Sequence, residues 1–309
     1  MHTNNYFVNV ACPLCKMDKY SVVYSGTFPE TLDQEFLKDI YRSSSEHALF
    51  EQVVRCINCS LVYLNPRLKE ELIVGSYAEG EDQVFILQDD MRIRTFRKSL
   101  RSLMKKFRIS TQGEVKILDV GCAGGAFLRA AQMENLVATG VEPSKWLGEY
   151  GRTQYGLDIH TGVLEGQDFT PKSFDIITMW DVIEHVPDPD RDLKHIATLL
   201  KDDGIFVVNY PDFGSLPAKL LGRRWPFLLS VHLVYYTPKT IRKQLALAGF
   251  EVIDLRRHWQ TLELAYVLNR AGHYFRIFHW FEKGVTACGL GKLPVTYWIG
   301  QTRVIAKKC

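Results

Sequence analysis

Two sets of residues in this 309-residue chain have the types and spacing for chemistry. The first is a set of thiols. Cys12-Pro13-Leu14-Cys15 and Cys56-Ile57-Asn58-Cys59 are matched C-x-x-C knuckles. Two such pairs can place four thiolates tetrahedrally around zinc. Four cysteines leave no open coordination position, so the zinc is read as structural, and a redox dithiol needs no second matched pair. The second set lies in Val115 to Leu128, VKILDVGCAGGAFL. A phosphate loop would need a lysine that is absent here. A dinucleotide site would need G-x-G-x-x-G, and here the spacing is G-x-x-G-G. Asp119 precedes the first glycine. A carboxylate there repels a pyrophosphate and attracts a cation, such as a ligand carrying an amino group and a sulfonium.

These residues need elements to hold them. Val115, Ile117, Leu118 and Val120 read as a strand buried on both faces of a parallel sheet. Gly121, Gly124 and Gly125 supply a turn free of side-chain clashes, and Ala126 to Met133 opens a helix. Ligands of open α/β sheets bind beyond the carboxyl ends of the strands. The next apolar run, VATGVE, ends on Glu142, about twenty residues past the glycines, where an acid can hold ribose hydroxyls.

Composition bounds the rest. Hydrophobic content is 46%, charged content 24% and formal net charge +3. These are ordinary globular values, and the charge is too small to imply nucleic acid by itself. The opening MHTNNYFVNVACPLC lacks the apolar core of a secretory leader, and no run approaches a membrane span. Seven cysteines in that setting fit a reducing compartment, so a cytoplasmic location is expected. Cys288 and Cys309 have no partner spacing.

ILDVGCAGGAFL and TGVEPS resemble the S-adenosylmethionine site of class I methyltransferases. The likeness continues through FDIITMWDVIEHVPDP (174–189) and HLVYYTPKTIRKQLALAGF (232–250). Four motifs in this order resemble the family of ubiquinone-biosynthesis O-methyltransferases and bacterial sugar and glycan methyltransferases, over about residues 90 to 309. The resemblance implies an α/β fold with a Rossmann-like seven-stranded sheet whose last strand is antiparallel. It implies donor contacts from Asp119, Gly121, Cys122, Gly124, Glu142, Pro143 and Trp180. Gln167 and Asp168 sit where relatives contact the adenine.

Three regions are expected: a zinc-ribbon-like domain over 1–77, a linker and basic helix over 78–110, and a methyltransferase domain over 111–309. The last carries substrate-capping insertions at 211–237 and 259–298. Within the ribbon, residues 30 to 43 read as helical, and 78 to 90 as an acidic loop. Arg92 to Arg108 is a basic amphipathic helix, read as packing on the sheet rather than as an RNA or membrane contact. The aromatic insertion over 259–298 is a candidate for peripheral membrane contact.

Methyl transfer to a hydroxyl is helped by a general base near the methyl. At the carboxyl end of the strand Phe174 to Trp180 the sequence offers Asp181, Glu184 and His185. Histidine is the natural base at neutral pH. Glu184 can orient it, or Asp181, Glu184 and His185 together can hold Mg2+, as the E-x-x-E-H pattern of ubiquinone-type relatives implies. His232 is the second candidate base, with Asp181, Tyr235 and Tyr236 as candidate substrate contacts. The [ND]-P-P-[YF] clamp for nucleobase amines is absent. The leading expectation is O-methylation of a sugar, glycan or other small metabolite, as in polysaccharide biosynthesis. Alternatives are C-methylation of a keto-sugar, an RNA methyltransferase, and a non-catalytic binding module. RNA is disfavoured because residues 12 to 59 hold only Lys16, Lys19, Lys38, Arg42 and Arg55 as cations.

Overall fold

The computed structural model describes residues 6–27, 36, 40, 49–79, 83–109 and 115–309. The expected helix over 30–43 falls mostly outside them. Seven strands form the main sheet: β6 (Lys116–Val120), β7 (Val137–Glu142), β8 (Asp158–Thr161), β9 (Phe174–Met179), β10 (Leu200–Pro211), β12 (Phe250–Arg257) and β15 (Gln301–Lys308). Their order is β12-β15-β10-β9-β6-β7-β8. β15 runs antiparallel to both neighbours, whereas β9, β6, β7 and β8 pair in parallel.

Alternation along the strands divides the core in two. Ile117, Ile176, Ile205, Val207 and Ile305 face one side. There they meet α2 (Asp89–Phe107) through Leu100 and Leu103, and α3 (Ala126–Gln132) through Phe127 and Leu128. Leu118, Ile177, Phe206, Val208 and Val304 face the other side. They pack on α5 (Pro189–Leu199) and α7 (Pro238–Leu247). Residues at i and i+2 share a strand face, so the apolar runs serve both layers. The basic helix α2 does pack on the core. Its outer face spends charge locally, with Arg97 and Arg101 both bound to Glu134 at 2.9 Å.

The ribbon is built from β2 (Tyr20–Tyr24), β3 (Val53–Cys56) and β4 (Val62–Leu64), beside a two-stranded pair of β1 (Phe7–Val8) with β5 (Arg67–Leu68). Its sheet has a fourth strand, β11 (Val234–Tyr235), which pairs antiparallel with β4. That strand comes from the segment between β10 and α7, and the ribbon and the methyltransferase sheet share one apolar core. Helix α1 (Glu70–Glu79) follows the ribbon. A helical turn over Gln83–Ile86 and the start of α2 at Asp89 occupy part of the expected loop over 78–90.

After β12, the segment 259–298 folds as a unit. β13 (Gln260–Glu263) pairs with β14 (Pro294–Tyr297), and between them lies a helical hairpin, α8 (Leu264–Tyr274) and α9 (Ile277–Ala287). The remaining helices are α4 (Lys145–Tyr155), between β7 and β8, and the short α6 (Leu216–Leu221), after β10.

Candidate active site

A cavity of about 830 Å³ opens at the carboxyl ends of the parallel strands. That is within the usual size range of ligand pockets. Its first wall is the glycine turn. Gly121 has φ +71°, and a Cβ there would lie 2.6 Å from Val182 Cγ2. Glycine is required both by the left-handed backbone and by the close approach. Gly125, also left-handed at φ +83°, starts α3.

Two buried acids stand beside the turn and line the cavity. Asp119 Oδ1 accepts a 2.6 Å hydrogen bond from Thr178 Oγ1. Burial raises the Asp119 carboxyl to about 8. The Glu142 carboxylate accepts from the amides of Ser144 at 2.8 Å and Ala123 at 2.7 Å, which fixes its orientation. Burial raises it to about 7. Two carboxyls made costly to ionise suit a ligand that brings hydroxyl donors and a positive charge. Cys122, Gly124 and Pro143 line the same wall. Trp180 lines it too, and packs against Phe96 and His258 with centroids 5.3 Å away.

Gln167 and Asp168 are not part of the cavity wall. Gln167 turns its amide back onto its own loop, toward the carbonyls of Thr161 and Val163. Leu164 and Glu165 line the cavity in their place, because the short 3-10 turn Leu164–Gly166 points them inward.

At the other end of the cavity, Glu184, His185 and His232 converge, each offering one ligand or acceptor atom within 4.8 Å of the others. His185 Nδ1 lies 2.9 Å from the Val231 carbonyl, and His232 Nδ1 lies 2.7 Å from the Phe227 carbonyl. A carbonyl only accepts, so His232 Nδ1 carries hydrogen; His185 Nδ1 meets both the Val231 carbonyl and, at 2.7 Å, the Tyr77 hydroxyl, and with its hydrogen shared between these two oxygens the lone pair is on Nε2. The rings meet edge to face at 4.7 Å. Burial lowers His185 to about 4, and burial together with the neighbouring His185 lowers His232 well below its ordinary value. Both imidazoles are therefore neutral at pH 7. Burial, and then the charge of Asp181, raise the Glu184 carboxyl. The turn holding Glu184 and His185 is tied to the segment holding His232, since the amides of Leu233 and Val234 both donate to the Glu184 carbonyl.

Asp181 does not join this cluster. Its Oδ1 accepts from Asn209 Nδ2 at 2.8 Å and from Gln301 Nε2 at 2.6 Å, and its Oδ2 faces Gln260 Nε2 at 3.4 Å. The expected Mg2+ set of Asp181, Glu184 and His185 is thus not assembled. The group that does converge contains two imidazole nitrogens, whereas Mg2+ takes oxygen ligands in octahedral geometry, so these residues do not suit it. Tyr235 and Tyr236 are fully buried in the core and off the cavity wall, which corrects their assignment to substrate. Tyr235 instead donates its hydroxyl to the Leu229 carbonyl.

Several residues of the site escaped the sequence reading. Tyr77, from α1, places its hydroxyl 2.7 Å from His185 Nδ1. Arg92, from α2, lies over the Phe85 ring at 3.4 Å and lines the cavity. Thr178, buried behind the wall, holds Asp119, and its one signal was a polar residue inside the apolar run FDIITM. From the 259–298 unit, Tyr266, Arg270, Tyr274 and Tyr297 close the cavity.

The four ribbon cysteines come together away from this cavity. Cys12 and Cys59 Sγ are 3.4 Å apart, Cys15 and Cys56 Sγ 3.5 Å, and all four lie within 4.8 Å. Tetrahedral zinc with Zn–S bonds of about 2.3 Å separates its sulfurs by about 3.8 Å. Burial raises the Cys12 thiol strongly and Cys59 to about 11, so paired thiolates here call for a cation. The cluster is a zinc-ribbon-like segment.

Comparison with known proteins agrees with this geometry. Residues 90–255 match the family model of a methyltransferase domain. The ubiquinone biosynthesis O-methyltransferase of Coxiella burnetii (strain RSA 331 / Henzerling II) is 28% identical over 167 residues, covering 50% of this chain and 71% of that protein. That of Vibrio atlanticus is 33% identical over 95 residues, 29% of this chain and 40% of that protein. A Thermotoga maritima S-adenosylmethionine-dependent methyltransferase, a possible histamine N-methyltransferase, aligns with TM-score 0.49 and 18% identity over 74% of this chain and 94% of that one. The chain belongs to the methyltransferase-domain family and is an S-adenosylmethionine-dependent enzyme of the class I fold.

Proposed function

We propose that this enzyme methylates a hydroxyl of a sugar, glycan or other small metabolite, with His185 as general base. The observation that supports the reading is the Glu184–His185–His232 cluster, with both imidazoles neutral, on the wall of the cavity that also holds Asp119 and Glu142. S-adenosylmethionine, when bound, supplies a methyl group on a sulfonium. Glu142 would take the ribose hydroxyls, Asp119 the positive charge, and Arg92 the donor's carboxylate. His185 Nε2 would accept the proton of the acceptor hydroxyl as its oxygen bonds to the methyl carbon. The carbon–sulfur bond breaks at the same time and its electron pair stays on sulfur. His232 packs edge-on and holds the His185 ring, while the Glu184 carbonyl ties the turn carrying His185 to the segment carrying His232. In this reading the four cysteines hold structural zinc, and the ribbon is a wall of the enzyme rather than a docking arm for RNA. The domain division that goes with this reading is a zinc-ribbon-like domain over 1–77, a linker and basic helix over 78–110, and a methyltransferase domain over 111–309 with substrate caps at 211–237 and 259–298.

The test supplies methyl-labelled donor to fractionated nucleotide sugars and small metabolites, lipid-linked glycans, and RNA. Label in a sugar or metabolite fraction with a methoxy resonance in the product supports the reading. A C-methyl resonance would shift it to keto-sugar C-methylation. Label lost on ribonuclease treatment would overturn it.

A further inference from the structure

Helix α9 has no buried residue, although it belongs to the unit that closes the cavity. Ile277, Trp280 and Phe281 recur at i, i+3 and i+4 and so share one face of it. Trp280 is 80% exposed and Ile277 61%. The opposite face rests on α8, where the His279 ring lies over Gly272. On α6, Leu216 and Leu220 form a second exposed pair one turn apart, Leu220 at 76%. The two regions are joined by Arg224, whose guanidinium lies 6.0 Å over the exposed Phe275 ring. A cluster of exposed aromatic and aliphatic side chains of this kind marks an interaction surface.

Charge identifies what the surface fits. Lys219, Arg223, Arg224, Arg276, Lys283 and Lys292 lie in the two segments that carry it, 213–226 and 275–293. Against them stands one acid, Glu282. The two segments thus hold more net positive charge than the whole chain at +3. Among the described residues no helix is long and apolar enough to cross a membrane. Apolar rings standing among cations on a short helix match the chemistry of a lipid headgroup layer carrying negative charge.

We propose that α9, with the exposed edge of α6, docks on an anionic lipid surface. Ile277, Trp280 and Phe281 enter the headgroup region, and the surrounding lysines and arginines contact lipid phosphates. α8 separates this face from the cavity, since Tyr266, Arg270 and Tyr274 line the cavity from the hairpin's inner side. A docked surface would therefore lie beside the acceptor end. The proposal is independent of the base and of the acceptor, because it is read by binding alone.

The experiment is co-sedimentation of the full chain with vesicles of phosphatidylcholine, and of phosphatidylcholine mixed with phosphatidylglycerol. Binding to the mixed vesicles alone, weakened by salt, is expected. Trp280→Ser/Phe281→Ser should lower the bound fraction at least tenfold, and so should Arg276→Glu/Lys283→Glu if the first variant folds poorly. Both should bind S-adenosylhomocysteine as the parent does. Failure of the parent to sediment with the anionic vesicles would overturn the proposal, and so would variants that sediment equally well. A dimer that Trp280→Ser/Phe281→Ser converts to monomer, with no vesicle binding by the parent, would assign the face to a second copy instead.

Discussion

The hydroxyl of Tyr77 lies 2.7 Å from Nδ1 of His185, so a side chain from the helix after the ribbon reaches the imidazole at the end of β9. Tyr77 is a positioning residue: it steadies a ring that lines the cavity. Tyr77→Phe should lower kcat about five- to tenfold, the worth of one buried hydrogen bond. Thermal stability and donor affinity should stay near those of the parent. A kcat and KM comparison with a melting curve checks it, and a shifted pH–rate profile would separate positioning from mere packing.

His185→Ala should reduce turnover about 100-fold or more, the range for loss of a general base. His232→Ala should reduce it less, since that ring acts through its neighbour. Calorimetric titration with S-adenosylhomocysteine should show intact donor binding in both. Full turnover in both variants would place the base elsewhere.

Glu142→Gln should weaken binding of the donor and of S-adenosylhomocysteine alike, by about tenfold, because both carry the ribose. Asp119→Asn should instead weaken the donor more than S-adenosylhomocysteine, because only the donor has a sulfonium charge. Paired titrations of the two ligands distinguish the roles.

Cys12→Ser should remove zinc and lower the melting temperature by several degrees or more, as loss of a structural metal does. It should also reduce turnover, because β11 belongs to the ribbon sheet and its amides tie the Glu184 turn. Metal analysis, melting and activity on one preparation check all three. Unchanged stability and a zinc-free parent would refute the ribbon reading.

Glu51 is wholly buried at the seam between ribbon and catalytic sheet, and burial raises its carboxyl from 4.5 to about 8. Between those values the folded chain holds a proton that the unfolded chain releases, so stability falls as pH rises through that window. Glu51→Gln removes this slope. Its melting temperature should gain on the parent at pH 8 and differ little at pH 5, which a series of melts across that range measures.

Much of this arrangement was legible because it is local. The glycine turn, the acids Asp119 and Glu142 and the strands that carry them depend on residues within a few positions of each other. The cysteine pairs were legible by spacing alone. What was not legible depends on contacts between distant segments. The pairing of β11 with β4 leaves no trace in either short stretch. It is the reason Tyr235 and Tyr236 are core residues, while His232, beside them, faces the cavity. Asp181 reads as a ligand beside Glu184 until Gln301, 120 residues on, is found bonded to it. Gln167 reads as an adenine contact until its loop is seen to fold back on itself. Arg92 and Tyr77 reach the cavity from helices whose own sequences speak only of packing.

The place of β15 bears on how the molecule is made. This strand lies between β10 and β12 and bonds to both. During synthesis those two strands leave the ribosome first and present unpaired backbone edges toward each other. Until residues 301–308 arrive they cannot form their native neighbours, and open edges of this kind invite pairing with other nascent chains. The sheet is completed by an insertion rather than an addition, so the enzyme should acquire its final form only after translation has passed this strand. Before then, protection by a chaperone would matter more for it than for a sheet that grows from one edge.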